Sequence, residues 1–402
     1  MSSPGKQSSS QTNKPETNNS GQSSGVQQTE KPLHVKLNET KISRRQFFFM
    51  IIQTQIGVGI LSMPYDLHKV AKQDGWMSLI LGGLLLQIVL LVLWLIARSY
   101  PELNFFQIIE KAFSKWIGKF ISLTFIFYFV LIAILIVLLF GRMISLWVLP
   151  STPFWVLSIL MVMICLYFLS SNLTVIARLY TFLSFLLFFL FVLMIYSIKE
   201  IRIMYILPIM ADGWGPVFKG MNQAILSFFG YIVSLVLFSR VEGKPKEKLK
   251  TIFQAHWFVL FFYLFIVLVS YTFFSTDEID LVPEPVLYML KSYEFSILAR
   301  VDLFFISIWI VSVATSLTTY LFMATVGLLT VFNSQKYRLM SIIIGFIVFV
   351  IALFLGYDMH KVEMFSKYVV HSGYVFTVGF PFLMYMVIVI RKKFQKKGSR
   401  AT

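Results

Sequence analysis

Two hydrophobic spans of this chain are each interrupted by glycine at the depth where a membrane helix should be continuous. The first runs from Phe47 to about Val70 and carries Gly57-Val58-Gly59 near its middle. The second runs from Val217 to Phe238 and carries Ser227-Phe228-Phe229-Gly230 near its middle. A bilayer core about 30 Å thick takes about 20 apolar residues of helix, so both breaks fall near the midplane. Backbone groups released there have no water to turn to unless the turn lines a cavity or is covered by protein. Paired breaks at matching positions in two halves of a chain point to a solute site inside the membrane. A small bound solute is the first expectation.

Composition agrees with a membrane protein. Of the 402 residues, 57% are hydrophobic and 13% charged, against roughly 25% charged in a soluble domain. The net charge of +16 does not indicate a nucleic-acid partner, because the basic residues cluster between long apolar runs, as in cytoplasmic membrane loops. Cys165 is the single cysteine and lies within an apolar run, which excludes an intramolecular disulfide and a cysteine metal cluster. No HExxH, Walker loop or nucleophile elbow occurs. Neither an enzymatic activity, a metal nor a cofactor is expected.

Residues 1–40 are rich in Ser, Gln, Asn, Thr, Gly and Lys, have little to bury and are expected to form a disordered polar tail. They contain no apolar stretch of the kind found in a signal peptide. Residues 41–395 form a membrane domain with about ten spans of bilayer length, and residues 396–402 a basic cytoplasmic tail. The spans are about 47–70, 77–97, 120–141, 154–173, 179–198, 217–238, 253–274, 301–332, 339–356 and 373–390. With the N-terminus inside, the inner flanks hold most of the Lys and Arg, among them Arg44, Arg45, Lys115, Lys119, Lys246, Lys250, Arg391 and Lys392. Both termini are therefore expected on the cytoplasmic side.

Ten spans divide into five plus five, and an odd number per half requires the second half to be inserted upside down. The broken first span then corresponds to the broken sixth. A second correspondence supports this inverted repeat. Short amphipathic segments follow the second span of each half, Asn104–Trp116 in one and Pro285–Phe295 in the other.

Polar side chains at mid-depth concentrate on four spans. They are Gln53, Thr54 and Gln55 on the first, Tyr128 on the third, Gln223, Ser227, Tyr231 and Ser234 on the sixth, and the run from Ser312 to Tyr320 on the eighth. Ser316 and Tyr320, four residues apart, share a helical face. A shared cavity is expected where these groups converge. Asp66, His68, Arg142, His256, Asp302 and His371 all fall toward span ends, so no ionisable group is expected at mid-depth, where proton-coupled carriers usually keep one.

The segment Arg45-Gln46-Phe47, the run Gln55-Ile56-Gly57-Val58-Gly59-Ile60-Leu61-Ser62-Met63-Pro64, Trp76 before the second span and the ten-span plan resemble the endospore germination protein family. These are the membrane B subunits of nutrient germinant receptors, within the amino acid–polyamine–organocation transporter superfamily. The resemblance covers about residues 41–395. It implies an all-α integral membrane fold of the leucine-transporter type, with helices 1 and 6 broken. It also implies an amino acid or similar nutrient as germinant, partnership with receptor A and C subunits, and the spore inner membrane as location. The long polar tail departs from the family's short N-terminus.

The expected binding residues are Gly57, Val58, Gly59, Ile60, Tyr128, Ser227, Phe228, Phe229, Gly230, Ser316 and Tyr320. Amides around Gly59 to Leu61 would take a carboxylate at a helix N-terminus. Carbonyls around Gln55 to Gly57 would take an ammonium group. Tyr128, Ser316 and Tyr320 would supply hydroxyls, and Phe228 and Phe229 would limit side-chain size. Three functions compete at this stage: a germinant receptor subunit, an amino-acid permease or ion-coupled symporter, and a ligand-free membrane scaffold.

Overall fold

The computed structural model describes residues 41–292, 300–356 and 358–398. The polar tail, residues 293–295 of the second amphipathic segment and residues 399–402 lie outside the described residues.

The first interrupted span begins with α1 (Arg44–Gln55), opened by a capping box. The Gln46 amide donates to Ser43 Oγ, and the Ser43 amide donates to Gln46 Oε1. The helix stops because Ile56 is extended and Gly57 adopts φ −141°, ψ −130°. A 3-10 turn, Val58–Ile60, follows, and helix resumes as α2 (Met63–Ala71). Pro64 sits in the first turn of α2, where its missing N–H costs nothing.

Helix α3 (Gly75–Ser99) leads to the amphipathic α4 (Phe105–Phe113), whose Phe105, Phe106, Ile108, Ile109 and Ala112 are buried. Then come α5 (Lys115–Trp147), α6 (Phe154–Leu169) and α7 (Leu173–Tyr196). The second interrupted span is α8 (Trp214–Ser227) and the short α9 (Val233–Leu237). Helix α10 (Pro245–Phe273) and the short α11 (Pro285–Lys291) follow. The chain ends with α12 (Val301–Phe332), α13 (Tyr337–Leu355), α14 (Met359–Gly373), a π-helical turn at Tyr374–Gly379 and α15 (Phe380–Gly398).

Among the described residues, seven helical stretches are long and apolar enough to cross a membrane: Met63–Ser99, Lys115–Trp147, Leu173–Glu200, Pro245–Phe273, Val301–Phe332, Tyr337–Leu355 and His360–Phe394. Helix α6 is a shorter apolar helix. The chain is an all-helical membrane protein.

Helix α12 lies at the centre, packed on α5, α6, α7, α13 and α1. Its 32 residues rise about 48 Å, more than a bilayer core needs. Helix α13 turns Ile343, Phe346, Ile347 and Phe354 outward, the lipid-facing pattern expected of a span with almost nothing polar. His256, on α10, is buried. Its Nε2 lies 2.8 Å from the Gly83 carbonyl and its ring packs on Phe228, an internal packing position.

Candidate functional site

The two interruptions abut. Gln55, the last residue of α1, donates from Nε2 to the Phe228 carbonyl just after α8 (3.0 Å). Gly230 adopts φ +112°, a region L-residues avoid, and a β-carbon there would lie 2.7 Å from the Thr54 carbonyl oxygen. Glycine at this position is what lets one break rest on the other.

The carbonyls released at the end of α1 are already occupied. Ser316 Oγ donates to the Gln53 carbonyl (2.9 Å) and lies 3.2 Å from that of Thr54. The Tyr263 hydroxyl donates to the Gln55 carbonyl (2.8 Å), and Trp309 Nε1 to the Gly57 carbonyl (3.2 Å). Gln53 is held by Thr315 Oγ1 at its Oε1 (2.9 Å) and donates to Ser184 Oγ (3.2 Å). Thr54 Oγ1 donates to the Met50 carbonyl and lies 3.1 Å from Thr319 Oγ1. Buried polar groups demand partners of this kind. The network seals the α1 side of the break and fixes the turn rigidly.

On the other side the turn borders a cavity of about 180 Å³. Seven of the expected residues line it: Gly57, Val58, Gly59, Ser227, Phe229, Ser316 and Tyr320. The other four do not. Ile60 is fully buried and its amide turns back toward the Gly57 carbonyl (3.5 Å). Phe228 packs against His256 and Tyr263, away from the cavity. Gly230 touches Thr54. Tyr128 stacks on Phe376 with ring centroids 4.7 Å apart, and its buried hydroxyl has no hydrogen-bond partner among the described residues.

Further residues complete the lining, among them Ser62, Asp66, Gln223 and Ser366. Asp66 is the consequential one, since it brings a carboxylate to the cavity. Counting along the first span places it near the outer end. Helix α2 begins only at Met63, however, so Asp66 lies in its first turn, beside the break. Gln55 adds an acceptor: its Oε1 is buried without a hydrogen-bond partner among the described residues.

The cavity continues into a wider vestibule of about 510 Å³ that shares Val58, Gly59, Ser62, Asp66 and Gln223 with it. Arg142, Glu284, Lys69, Lys367 and His371 line the vestibule. Arg142 lies 3.9 Å from Glu284. Burial pushes the Glu284 carboxyl up and Arg142 opposes that shift. A small solute with both positive and negative groups would meet charges of both signs along this route.

Comparison with known proteins places this arrangement. The chain is 24% identical to spore germination protein A2 of Bacillus subtilis (strain 168) over 372 residues, covering 90% of this chain and 99% of that protein. It is 26% identical to spore germination protein YndE of the same organism over 300 residues, covering 74% and 82%. Among solved structures, it is similar to a sodium-coupled sialic acid symporter in a substrate-bound, outward-open state. The TM-score is 0.59 at 14% identity, over 87% of this chain and 88% of that one. A nucleobase–cation–symport-1 family transporter in a closed conformation gives a TM-score of 0.59 at 12% identity, over 84% and 79%. These likenesses establish the transporter fold. The model for spore germination proteins matches residues 41–362, and the chain belongs to the spore germination protein family.

Proposed function

We propose that this protein is the membrane subunit of a nutrient germinant receptor, binding an amino-acid-like germinant in the cavity between its two helix breaks. The observation that carries the reading is the cavity itself. At about 180 Å³ it is below the roughly 300–1,000 Å³ of pockets for drug-sized ligands, and its polar lining comes mostly from the interrupted spans and α12 while α5 contributes only apolar residues. Ile132, Leu135, Ile136 and Phe229 would hold the solute's side chain. Amides at Val58 and Gly59 would receive its carboxylate, and Asp66 and Gln55 Oε1 its ammonium group.

The sequence spacing and the fold likeness support a ten-span domain: the seven long helices, α6 and the two interrupted spans. The halves would be related as an inverted repeat, with both termini on the cytoplasmic (core) side of the spore inner membrane. Receptor A and C subunits would be the partners that transmit occupancy. Topology has a direct test. Single cysteines at Ser151 and Lys393 should react with an impermeant maleimide from opposite sides, and labelling from one side would refute the ten-span arrangement.

Asp66→Asn provides the test of ligand class. A hydrogen bond to a charged group contributes about 1.5–3 kcal/mol, so the variant should bind an amino acid roughly ten- to a hundredfold more weakly. The matching carboxylic acid without the amine should be unaffected. Equal change for both compounds, or none for either, would remove Asp66 from amine recognition.

A permease is the second reading, favoured by the symporter fold. Net uptake of an amino acid into liposomes containing only this chain would establish it, whereas a receptor binds without net uptake.

A further inference from the structure

Away from the cavity, α1 and α10 form an open groove of about 1040 Å³. Its two ends differ in chemistry. At one end stand Arg44, Arg45, Lys246 and Lys250, and deeper along both helices the wall becomes aromatic. On α1 the order is Arg44 and Arg45, then Phe48 and Phe49. On α10 it is Lys246 and Lys250, then Phe253, Trp257 and Phe261. In each helix the cations come first and the rings follow within one or two turns.

The charges at the groove's head are poorly neutralised. Arg44 lies 3.7 Å from Glu247, but Arg45, Lys246 and Lys250 have no hydrogen-bond or ion-pair partner among the described residues. Lys248, on the other face of α10, is buried and donates to the Phe238 carbonyl, so the contrast is one of helix face. The rings are not core residues: Trp257, Phe258 and Phe261 are 37%, 42% and 60% exposed.

Length decides what fits. Lys250 and Phe261 are eleven residues apart on one helix, a rise of about 16 Å. One leaflet's hydrocarbon is about 15 Å, half the bilayer core. Cations at the interface and a ring-lined wall one leaflet deep match a phosphate headgroup with its acyl chain.

We propose that this groove is a binding site for an anionic phospholipid of the leaflet adjoining the start of α1 and α10. The headgroup phosphate sits among Arg45, Lys246 and Lys250, and an acyl chain lies along Phe253, Trp257 and Phe261. A partner helix would bury the same rings but would neutralise the three cations only if it carried carboxylates at the groove's head, whereas an anionic lipid brings its phosphate to that level by its own geometry.

Native mass spectrometry of the full chain, titrated with phosphatidylglycerol and with phosphatidylcholine of the same acyl chains, tests this. Phosphatidylglycerol should be retained and phosphatidylcholine should not. Arg45→Gln with Lys250→Gln should weaken retention about thirtyfold, the loss of two basic residues at ~1 kcal/mol each. Lys115→Gln with Lys119→Gln, which removes the same charge elsewhere, should change nothing. Trp257→Ala with Phe261→Ala should also weaken retention, and these exposed rings can be removed without opening the core. Equal retention of both lipids overturns the proposal. So does unchanged retention in the groove variants, or glycerol 3-phosphate binding as tightly as the lipid.

Discussion

Gly59→Leu should abolish the response to germinant while the protein still inserts and folds. A β-carbon on Gly59 meets nothing within 4 Å, so the backbone tolerates the change. The rest of the leucine side chain then occupies the cavity that Gly59 lines. One misplaced methylene in an apolar pocket costs up to about two-hundredfold in relative affinity, and four added carbons exceed that. Gly57→Leu is the contrasting variant. Its β-carbon would lie 2.7 Å from Ser316 Oγ, the atom that holds the Gln53 carbonyl, so it should damage the fold as well as the site. Germination of spores carrying each variant, with protein quantified in the membrane fraction, separates the two. Normal response with Gly59→Leu would mean that the cavity is not the site.

The second large effect concerns selectivity. Phe229 lines the cavity on one side and on the other packs so closely on α14 that a β-carbon at Gly373 would clash with its ring. Phe229→Ala should therefore enlarge the pocket and favour bulkier amino acids, shifting relative potency by ten- to two-hundredfold. Tyr320→Phe removes one hydroxyl from the lining and should weaken all amino acids alike, with their ranking unchanged. Dose–response series over amino acids of graded size distinguish these outcomes. Uniform weakening by Phe229→Ala at normal protein levels would assign that ring to packing.

Much of this architecture was legible in the sequence, and the reasons are physical. Apolar runs of bilayer length reveal spans, and glycines followed by Ser62-Met63-Pro64 reveal that the first span does not continue as helix. The adjoining of the two breaks follows from their matching depth. What each side chain faces at a break was less legible, because helical periodicity fails there. Phe228 and Phe229 are adjacent in a turn and point to different sides, one onto α10 and the other into the cavity. Asp66 reads as a span-end residue in the sequence, whereas it lies in the first turn of a helix that restarts at Met63, beside the break. Tyr128 drew notice as a hydroxyl in an apolar run, yet its stacking partner, Phe376, lies in the π-helical turn after α14, whose geometry no residue pattern signals. The sealed carbonyls were equally hidden. Their donors, Trp309 and Tyr263, come from helices more than 200 residues away in sequence.

The central claim is that the cavity between the two breaks holds the germinant. Thermal denaturation of the purified chain against amino acids, nucleosides and sugars tests it most directly, with Gly59→Leu in parallel. A ligand at a hundred times its dissociation constant stabilises by about 2.7 kcal/mol. The expected result is that at least one small amino acid raises the midpoint of the native chain and leaves that of Gly59→Leu where it was. A panel in which nothing shifts the native chain, or in which both proteins shift equally, would contradict the account.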